Sequence, residues 1–273
     1  MPCVRRCCAP GRSGECRYHD PVILYEYPLN ERTRTYLRLE HLLHRLGVLV
    51  PREHPLDHHH ALQTLFEILE VGARADLKTE ILKDLDRHRQ QLEALRGHPT
   101  IAEAALERVL TQIEQCHAAL RDDEGRLGHA LGGVEWLATL RNRIGIPGGT
   151  CAFDLPAYHE WQHRPAAERQ ADLLQWAQSV ACLGQPVQLL LQLLRESAVA
   201  QKVFAARGQF QQNLPQSRTF QLLRVWLDPG LRLVPEISGN RLLVSVRLLR
   251  RNIEGKLEPA TDIDAEFEIH LCA

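Results

Sequence analysis

Up to about residue 205, apolar residues recur every three or four positions along the chain. This period is typical of amphipathic helices, whose apolar side packs on a core while the opposite side meets water. Asn30 is a favourable N-cap for the first helix, and Gly47 is expected to end it. The pattern predicts helices over residues 30–46, 57–71, 76–95, from Pro99 onwards, and over 134–143, 158–162, 166–181 and 186–198.

After about residue 205 the apolar period shortens to two, which is typical of β-strands. Strands are predicted over residues 219–227, 231–237, 241–249 and 263–271, and two more near 22–27 and 150–155 are candidates to join the sheet. The sequence therefore predicts an α+β fold. A mainly helical body over 22–205 would pack with a C-terminal antiparallel β-domain over 206–273.

The charge of the whole chain is nearly balanced, with 33 basic residues, 34 acidic residues and a net charge of −1. Bulk charge therefore favours neither nucleic acid nor a membrane surface, and any electrostatic function has to come from local patches. No apolar stretch has the length of a signal peptide or reaches the ~20 residues that cross a bilayer. We expect a cytoplasmic protein without membrane insertion.

The first 21 residues show no periodicity and hold four of the eight cysteines, Cys3, Cys7, Cys8 and Cys16. A zinc site here would use C-x3-C, C-C and C-x7-C spacings, and none of them is the C-x2-C pair of zinc knuckles. A disulfide knot does not suit the reducing compartment that the wide scatter of the other cysteines indicates. We expect residues 1–21 to be a disordered tail or to precede the true translation start.

The segment HEWQH at 159–163 has the H-E-x-x-H spacing of zinc hydrolases. On a helix, His159 and His163 would share one face and could bind zinc, with Glu160 as the general base. Pro165 follows almost at once, and no third ligand lies at the spacing that such enzymes use. A zinc hydrolase is therefore an alternative, and an exposed helix end is the simpler interpretation.

Three consecutive histidines, His58, His59 and His60, lie at the start of the second predicted helix. Adjacent side chains on a helix diverge, so these three do not converge on one metal ion. We expect them to be solvated. The GIPGG stretch at 145–149 lacks the lysine and the spacing of a phosphate-binding loop, which predicts a turn.

A set of basic residues at helical spacing predicts a uniformly basic face on the first helix. It consists of Arg34, Arg38, His41 and Arg45. Guanidinium groups flanked by apolar residues suit an acidic-apolar peptide or a phosphate backbone. Few aromatic residues accompany them, which argues against stacking on single-stranded nucleic acid, although a nucleic-acid binder stays open as an alternative.

Two further basic pairs occur later in the chain. Arg141 and Arg143 precede the GIPGG turn, and Arg241 and Arg247 are predicted to share one face of a strand. No constellation of catalytic residues accompanies either pair. The sequence therefore indicates binding rather than catalysis.

Four stretches of the chain, taken in order, carry a family resemblance. They are YEYPLNERTRTYLRLEHLL (25–43), RADLKTEILKDLDRHRQQL (74–92), RIGIPGGTCAFDLPAYHEWQH (143–163) and PEISGNR (235–241). Together they resemble the ZapD family of Z-ring-associated bacterial cell division proteins. The resemblance runs from about Val22 to the C-terminus, and the order of the long blocks makes it specific.

This resemblance implies a homodimer that binds the C-terminal tail of FtsZ, an acidic and apolar peptide, through a basic surface. Two sites on one dimer would cross-link and bundle FtsZ filaments at the mid-cell septum. The resemblance implies no catalysis, no cofactor, no metal and no nucleic-acid partner. The residues expected at the tail-binding surface are Arg34, Arg38, Arg141, Arg143, His159, Arg241 and Arg247.

Overall fold

The computed structural model of the chain describes residues 22–73, 77–99, 101–122, 131 and 133–273. The prediction for residues 1–21 lies outside this part of the chain. After one short strand, helices follow one another up to residue 196, and strands dominate from Ala200 onwards. The predicted α+β class is confirmed. No helix among the described residues is both long and apolar enough to cross a bilayer.

The described residues form eight α-helices whose bounds follow the predicted ones to within a few residues. They are α1 Glu31–Leu49, α2 Pro55–Gly72, α3 Leu77–Glu93, α4 Glu103–Asp122, α5 Glu135–Arg143, α6 Pro156–Gln162, α7 Ala166–Ala181 and α8 Gly184–Glu196. Their apolar sides supply one core made mostly of leucine. The period of 3.6 residues predicted these helices because each of them buries one side only.

Helix α1 continues past Gly47 to Leu49, so the predicted end is wrong. Asn30 caps the first turn as expected, because its side-chain oxygen accepts a hydrogen bond from the backbone N–H of Thr33 at 2.8 Å. A glycine inside a helix costs about 1 kcal/mol relative to alanine. Burial of Leu46 and Val50 on either side of Gly47 outweighs this cost, since each buried side chain of this size stabilises by about 1.5–3 kcal/mol.

Polar contacts hold α1 on two neighbouring helices. On α8, Arg195 donates to both carboxylate oxygens of Glu40 at 2.7 Å. On α3, the buried carboxylate of Asp84 accepts hydrogen bonds from Arg32 at 2.7 Å and from the Tyr36 hydroxyl at 2.9 Å. Burial, reinforced by Asp84, raises the pKa of Tyr36, so this hydroxyl stays a donor. Helix α1 is thus a fixed support for its remaining side chains.

The strands of the described chain form two four-stranded sheets. They are β1 Ile23–Pro28, β2 Ala200–Ala205, β3 Gln209–Asn213, β4 Leu222–Leu227, β5 Leu233–Gly239, β6 Leu243–Arg251, β7 Leu257–Pro259 and β8 Ala265–Cys272. The first sheet has the order β1-β4-β8-β2, and in the second β6 lies between β3 and β5 and also pairs with β7. The pairs β2–β8, β3–β6, β5–β6 and β6–β7 are antiparallel.

Alternation along β6 and β8 buries every second side chain, as the period of two predicts. In β6 the buried residues are Val244, Val246 and Leu248. The two sheets contact each other through Phe210 of β3 and Phe267 of β8, whose rings meet edge to face with centroids 5.8 Å apart. On the other side of β6, Ser245 is half-buried and Arg247 is exposed.

The strand predicted near residues 150–155 is wrong, because that stretch consists of successive turns. Gly148 has a positive φ of 70°, and the backbone N–H of Leu155 bonds back to Cys151 at 3.0 Å. Strands β2, β3 and β7 were not predicted. β2 is mostly exposed and β3 is mostly polar, and neither shows a buried apolar alternation of its own. Pairing with β8 and β6 therefore makes them strands.

Two compact units make up the described chain. The helical unit comprises Tyr27–Val199, Gln216–Leu223 and Leu271–Ala273, and the sheet unit comprises residues 22–26, Ala200–Pro215 and Arg224–His270. The predicted domain boundary between residues 205 and 206 stays a prediction. Five of the seven expected binding residues belong to the helical unit, and Arg241 and Arg247 belong to the sheet unit.

Candidate partner-binding surfaces

The two candidate arginines of α1 share one carboxylate. Glu31, in the first turn, lies 3.3 Å from Nε of Arg34 and 3.8 Å from Nη1 of Arg38. The two arginine side chains remain 37% and 55% exposed. Ion pairs this exposed contribute only about 0–1 kcal/mol. Both guanidinium groups can therefore exchange Glu31 for a carboxylate of a partner at little cost.

The basic face predicted on α1 does not extend to Arg45. Its Nε donates to the Thr64 hydroxyl at 2.8 Å, and its Nη2 donates to the Glu67 carboxylate at 2.6 Å. Both acceptors lie on α2, so Arg45 joins two helices. The prediction of a uniformly basic face is wrong, because α2 and Glu31 place acidic groups among the arginines.

Two candidate residues lie in the last turn of α5, where a cation also interacts favourably with the helix dipole. Arg143 donates to the Asp154 carboxylate at 2.9 Å and so connects the end of α5 to the far end of the following loop. Arg141 is exposed and has no ion-pair or hydrogen-bond partner among the described residues. Arg143 thus supports the loop, while Arg141 is an exposed cation beside it that pairs with no carboxylate in the described part of the chain.

His159 lies on the exposed side of α6, in the HEWQH segment. Nδ1 of His163 donates to the His159 carbonyl at 2.8 Å, so this nitrogen is not free for a metal. Both oxygens of Glu160 accept hydrogen bonds from Arg164 at 2.8–3.2 Å, and these bonds lower the pKa of Glu160. A carboxylate held in this way is a weaker base. The geometry does not support the zinc-hydrolase alternative.

Metal ligands are not brought together elsewhere in the described part of the chain either. No group of three or more His, Cys, Asp or Glu side chains within it is arranged to hold an ion. Cys116 and Cys272 are buried, Cys182 is half-buried and Cys151 is exposed, and none of the four forms a disulfide with another described residue. Burial raises the pKa of the Cys116 thiol, which keeps it protonated and unreactive.

An aromatic cluster fixes the orientation of α6. Tyr158 and Trp161 of this helix are each 1% exposed and pack against Trp136 of α5, with ring centroids 5.7 and 5.5 Å away. Trp176 of α7 completes the cluster at 5.8 Å from Trp161. Because Tyr158 and Trp161 lie on one side of the helix, His159 is directed outward.

The expectation that His58, His59 and His60 are solvated is wrong for the first two. His58 is fully buried, and its Nε2 donates to the Arg52 carbonyl at 2.5 Å. His59 is half-buried and accepts a hydrogen bond from the Tyr158 hydroxyl at 2.7 Å. Burial lowers the pKa of both imidazoles, so both are neutral at pH 7. They serve packing, since each satisfies a buried polar group.

Arg169 is a buried cation that the sequence did not single out. It is 4% exposed, and its Nε donates to Nδ1 of His58 at 2.9 Å. Its other nitrogens donate to the carbonyls of Gln162, Arg164 and Glu53. The guanidinium thus ties α7 to α2, to the end of α6 and to the loop before α2. It supports the helix that carries His159.

In the sheet unit, Arg247 lies on the open side of β6. It pairs across the sheet with Glu236 of β5, with 3.2 Å between Nη1 and the carboxylate, and opposite Gln209 of β3. Arg241 precedes β6 in a bend, so the prediction that it shares a strand face with Arg247 is wrong. Arg241 is exposed and has no ionic partner among the described residues.

Several of the candidate arginines are paired with acidic side chains of the chain itself. Glu31, Asp154 and Glu236 each pair with one or two of the arginines. A nucleic-acid backbone is bound best by an uninterrupted track of positive charge. Around Glu31, Asp154 and Glu236 the surface therefore carries both signs of charge and is not an uninterrupted basic track.

Known proteins resemble this chain over most of its length. The family model of ZapD, described as a cell division protein, matches residues 37–247. "Cell division protein ZapD" of Cupriavidus pinatubonensis is 49% identical over 253 residues, which are 92% of this chain and 99% of the relative. The proteins of the same name from Cupriavidus metallidurans and Ralstonia pickettii are 48% and 47% identical with the same coverage.

Proposed function

Because this chain belongs to the ZapD family of cell division proteins, we propose that it binds the C-terminal tail of FtsZ and bundles FtsZ filaments. It would act as a homodimer, in the cytoplasm at the mid-cell septum. A role in cell division follows from the family itself. The binding partner, the dimer and the location are the proposal, and the family match over most of the chain is the observation that carries it.

The electrostatics of the exposed arginines support this proposal. Arg38 and Arg247 are 55% and 53% exposed, and their own carboxylate partners are more than half exposed as well. Arg141 and Arg241 offer cations without ionic partners among the described residues. A guanidinium binds a carboxylate with charge-assisted, often bidentate hydrogen bonds. An acidic tail could therefore bind these residues without the loss of a buried contact.

Bundling needs two tail sites on one particle. A homodimer supplies them, and filaments display many tails close together, so weak sites combine into strong attachment. No cofactor or catalytic step enters this mechanism. We therefore propose a binding protein rather than an enzyme.

Co-sedimentation with FtsZ polymers tests the proposal. We expect the full chain to pellet with polymers of intact FtsZ and to remain in the supernatant with polymers that lack the C-terminal tail. Electron microscopy of the same samples should show bundles only with intact FtsZ. Pelleting that does not depend on the tail would contradict the proposed site, and bundling by a strictly monomeric protein would contradict the dimer.

A further inference from the structure

The loop between α5 and α6, residues 144–155, is a rigid structure made of overlapping turns. The backbone N–H groups of Ile146, Gly149, Cys151 and Asp154 each bond to the carbonyl three residues earlier, at 2.9–3.3 Å. A Cβ on buried Gly149 would lie 2.8 Å from the Arg143 carbonyl oxygen, so only glycine fits the turn. The loop therefore holds its shape without a partner.

This rigid loop presents two large apolar side chains to solvent. Phe153 is 84% exposed and Ile146 is 54% exposed. The neighbouring residues are fixed, because Leu155 is buried and Asp154 accepts a hydrogen bond from Arg143 at 2.9 Å. An exposed phenylalanine gains free energy when a partner covers it, and a preformed loop loses little entropy on binding.

Basic side chains flank the exposed apolar residues at both ends of the loop. Arg141 and Arg143 occupy the last turn of α5, and His159 lies on the exposed side of α6, whose first residue follows the loop directly. Helices α5 and α6 pack together through Trp136 and Tyr158, which keeps both ends of the loop on one part of the helical unit. The exposed apolar side chains and the basic side chains thus belong to one short segment of the helical unit, residues 141–159.

We propose that Phe153 and Ile146 form the apolar half of the FtsZ-tail site, beside the basic half formed by Arg141 and His159. This inference rests on the proposed function. The occupant is the acidic and apolar tail peptide, because its two chemical features match the two halves of the surface. The apolar half makes the site specific for a peptide that also carries apolar residues. A peptide with the same charge but no apolar residues would bind through the ion pairs alone, and salt weakens those.

Fluorescence anisotropy with a labelled FtsZ tail peptide, titrated with the full chain, measures the single-site affinity without avidity. Phe153→Ala should weaken binding about tenfold or more, the loss typical of a buried aromatic contact at an interface. The same factor should appear at low and at high salt, because the contact is apolar. Phe153→Leu should restore most of the affinity. Arg141→Ala should weaken binding at low salt only.

Leu174→Ala is the matched control, since Leu174 is 57% exposed on α7 of the same unit. It should bind the peptide like the unsubstituted protein, and circular dichroism should show all variants folded. If the unsubstituted protein binds the peptide and Phe153→Ala binds it with the same affinity, this inference is wrong and the proposed function still stands. A protein that does not bind the tail peptide at all would overturn the proposed function as well.

Discussion

Two arginine environments in the helical unit use the same side chain in opposite ways. Arg169 is 4% exposed and donates hydrogen bonds to one imidazole and three backbone carbonyls of its own chain. Arg38 is 55% exposed and approaches one exposed carboxylate at 3.8 Å. The buried arginine stabilises the fold, whereas the exposed arginine has N–H donors that a binding partner can reach. Burial and the number of acceptors, rather than charge alone, separate structural from available cations.

The largest expected change in the free energy of unfolding comes from a substitution of the buried Arg169. Arg169→Ala removes the donor to Nδ1 of His58 and to three carbonyls, and each buried acceptor left without a partner costs about 1–3 kcal/mol. Because water can enter to satisfy some of them, we expect a loss of about 2–4 kcal/mol in the free energy of unfolding. Urea denaturation followed by tryptophan fluorescence measures it, since Trp136, Trp161 and Trp176 lie in the adjoining aromatic cluster.

Arg141→Ala is the matched control for that experiment, because Arg141 is exposed and makes no ion pair among the described residues. Its free energy of unfolding should stay within about 0.5 kcal/mol of the unsubstituted protein. Equal stability of the two variants would show that the buried arginine is not the structural tie described above.

Acidification is a milder way to disturb the buried environment. Burial lowers the pKa of His58 below 6.5, and Arg169 lowers it further, while the hydrogen bond to the Arg52 carbonyl and the charge of Asp57 oppose the shift. Between the two pKa values the unfolded chain binds a proton that the folded chain does not, so stability falls as the pH falls below about 6.5. From pH 7.5 to 5.5 we expect the free energy of unfolding to fall, with at most about 1.4 kcal/mol of the loss coming from His58, because one proton is worth about 1.4 kcal/mol for each pH unit below 6.5.

Urea denaturation at the two pH values isolates this contribution when variants are compared. His58→Gln removes the titrating group and should weaken the pH dependence, although His59, His88 and His117 titrate below their usual range as well. His159→Gln is the matched substitution at an exposed position, and its free energy of unfolding at pH 7.5 should stay within about 0.5 kcal/mol of the unsubstituted protein. Identical pH profiles for His58→Gln and the unsubstituted protein would contradict the neutral, buried state of His58.

The smallest effect on stability is expected at an exposed arginine. Arg247 and Glu236 form an ion pair at 3.2 Å with both side chains more than half exposed. Arg247→Glu should therefore change the free energy of unfolding by less than about 1 kcal/mol, the range of surface ion pairs. Under the proposed function, the same change should reduce co-sedimentation with FtsZ at low salt. Unchanged co-sedimentation would remove Arg247 from the site.

Much of the fold follows from local patterns. The eight helices, the strands β4, β5, β6 and β8, and the α+β class could all be read from the apolar periods of 3.6 and 2. Strands β2 and β3 could not, because sheet neighbours distant in sequence stabilise them. The strand expected at 150–155 is a loop, because Gly148 and Gly149 allow tight turns. The pattern of apolar residues does not indicate such turns.

The candidate site is predictable only in part, for a related reason. The sequence indicates which residues are basic and which blocks resemble the ZapD family. It cannot separate Arg45, which bonds Glu67 on another helix, from Arg38, which stays exposed. It also gave no sign that Phe153 is 84% exposed, since an aromatic residue between turns is equally compatible with a core position.

By itself, the sequence determined the family, the class of fold and the positions of the main helices, because these depend on side-chain chemistry and on spacings of a few residues. Only the tertiary structure decided which cations are available. Arg169 meets His58 and Glu53 across 111 and 116 positions of the chain, and these contacts bury it. A charge is structural or free according to the groups that folding brings around it, and local spacing does not contain that information.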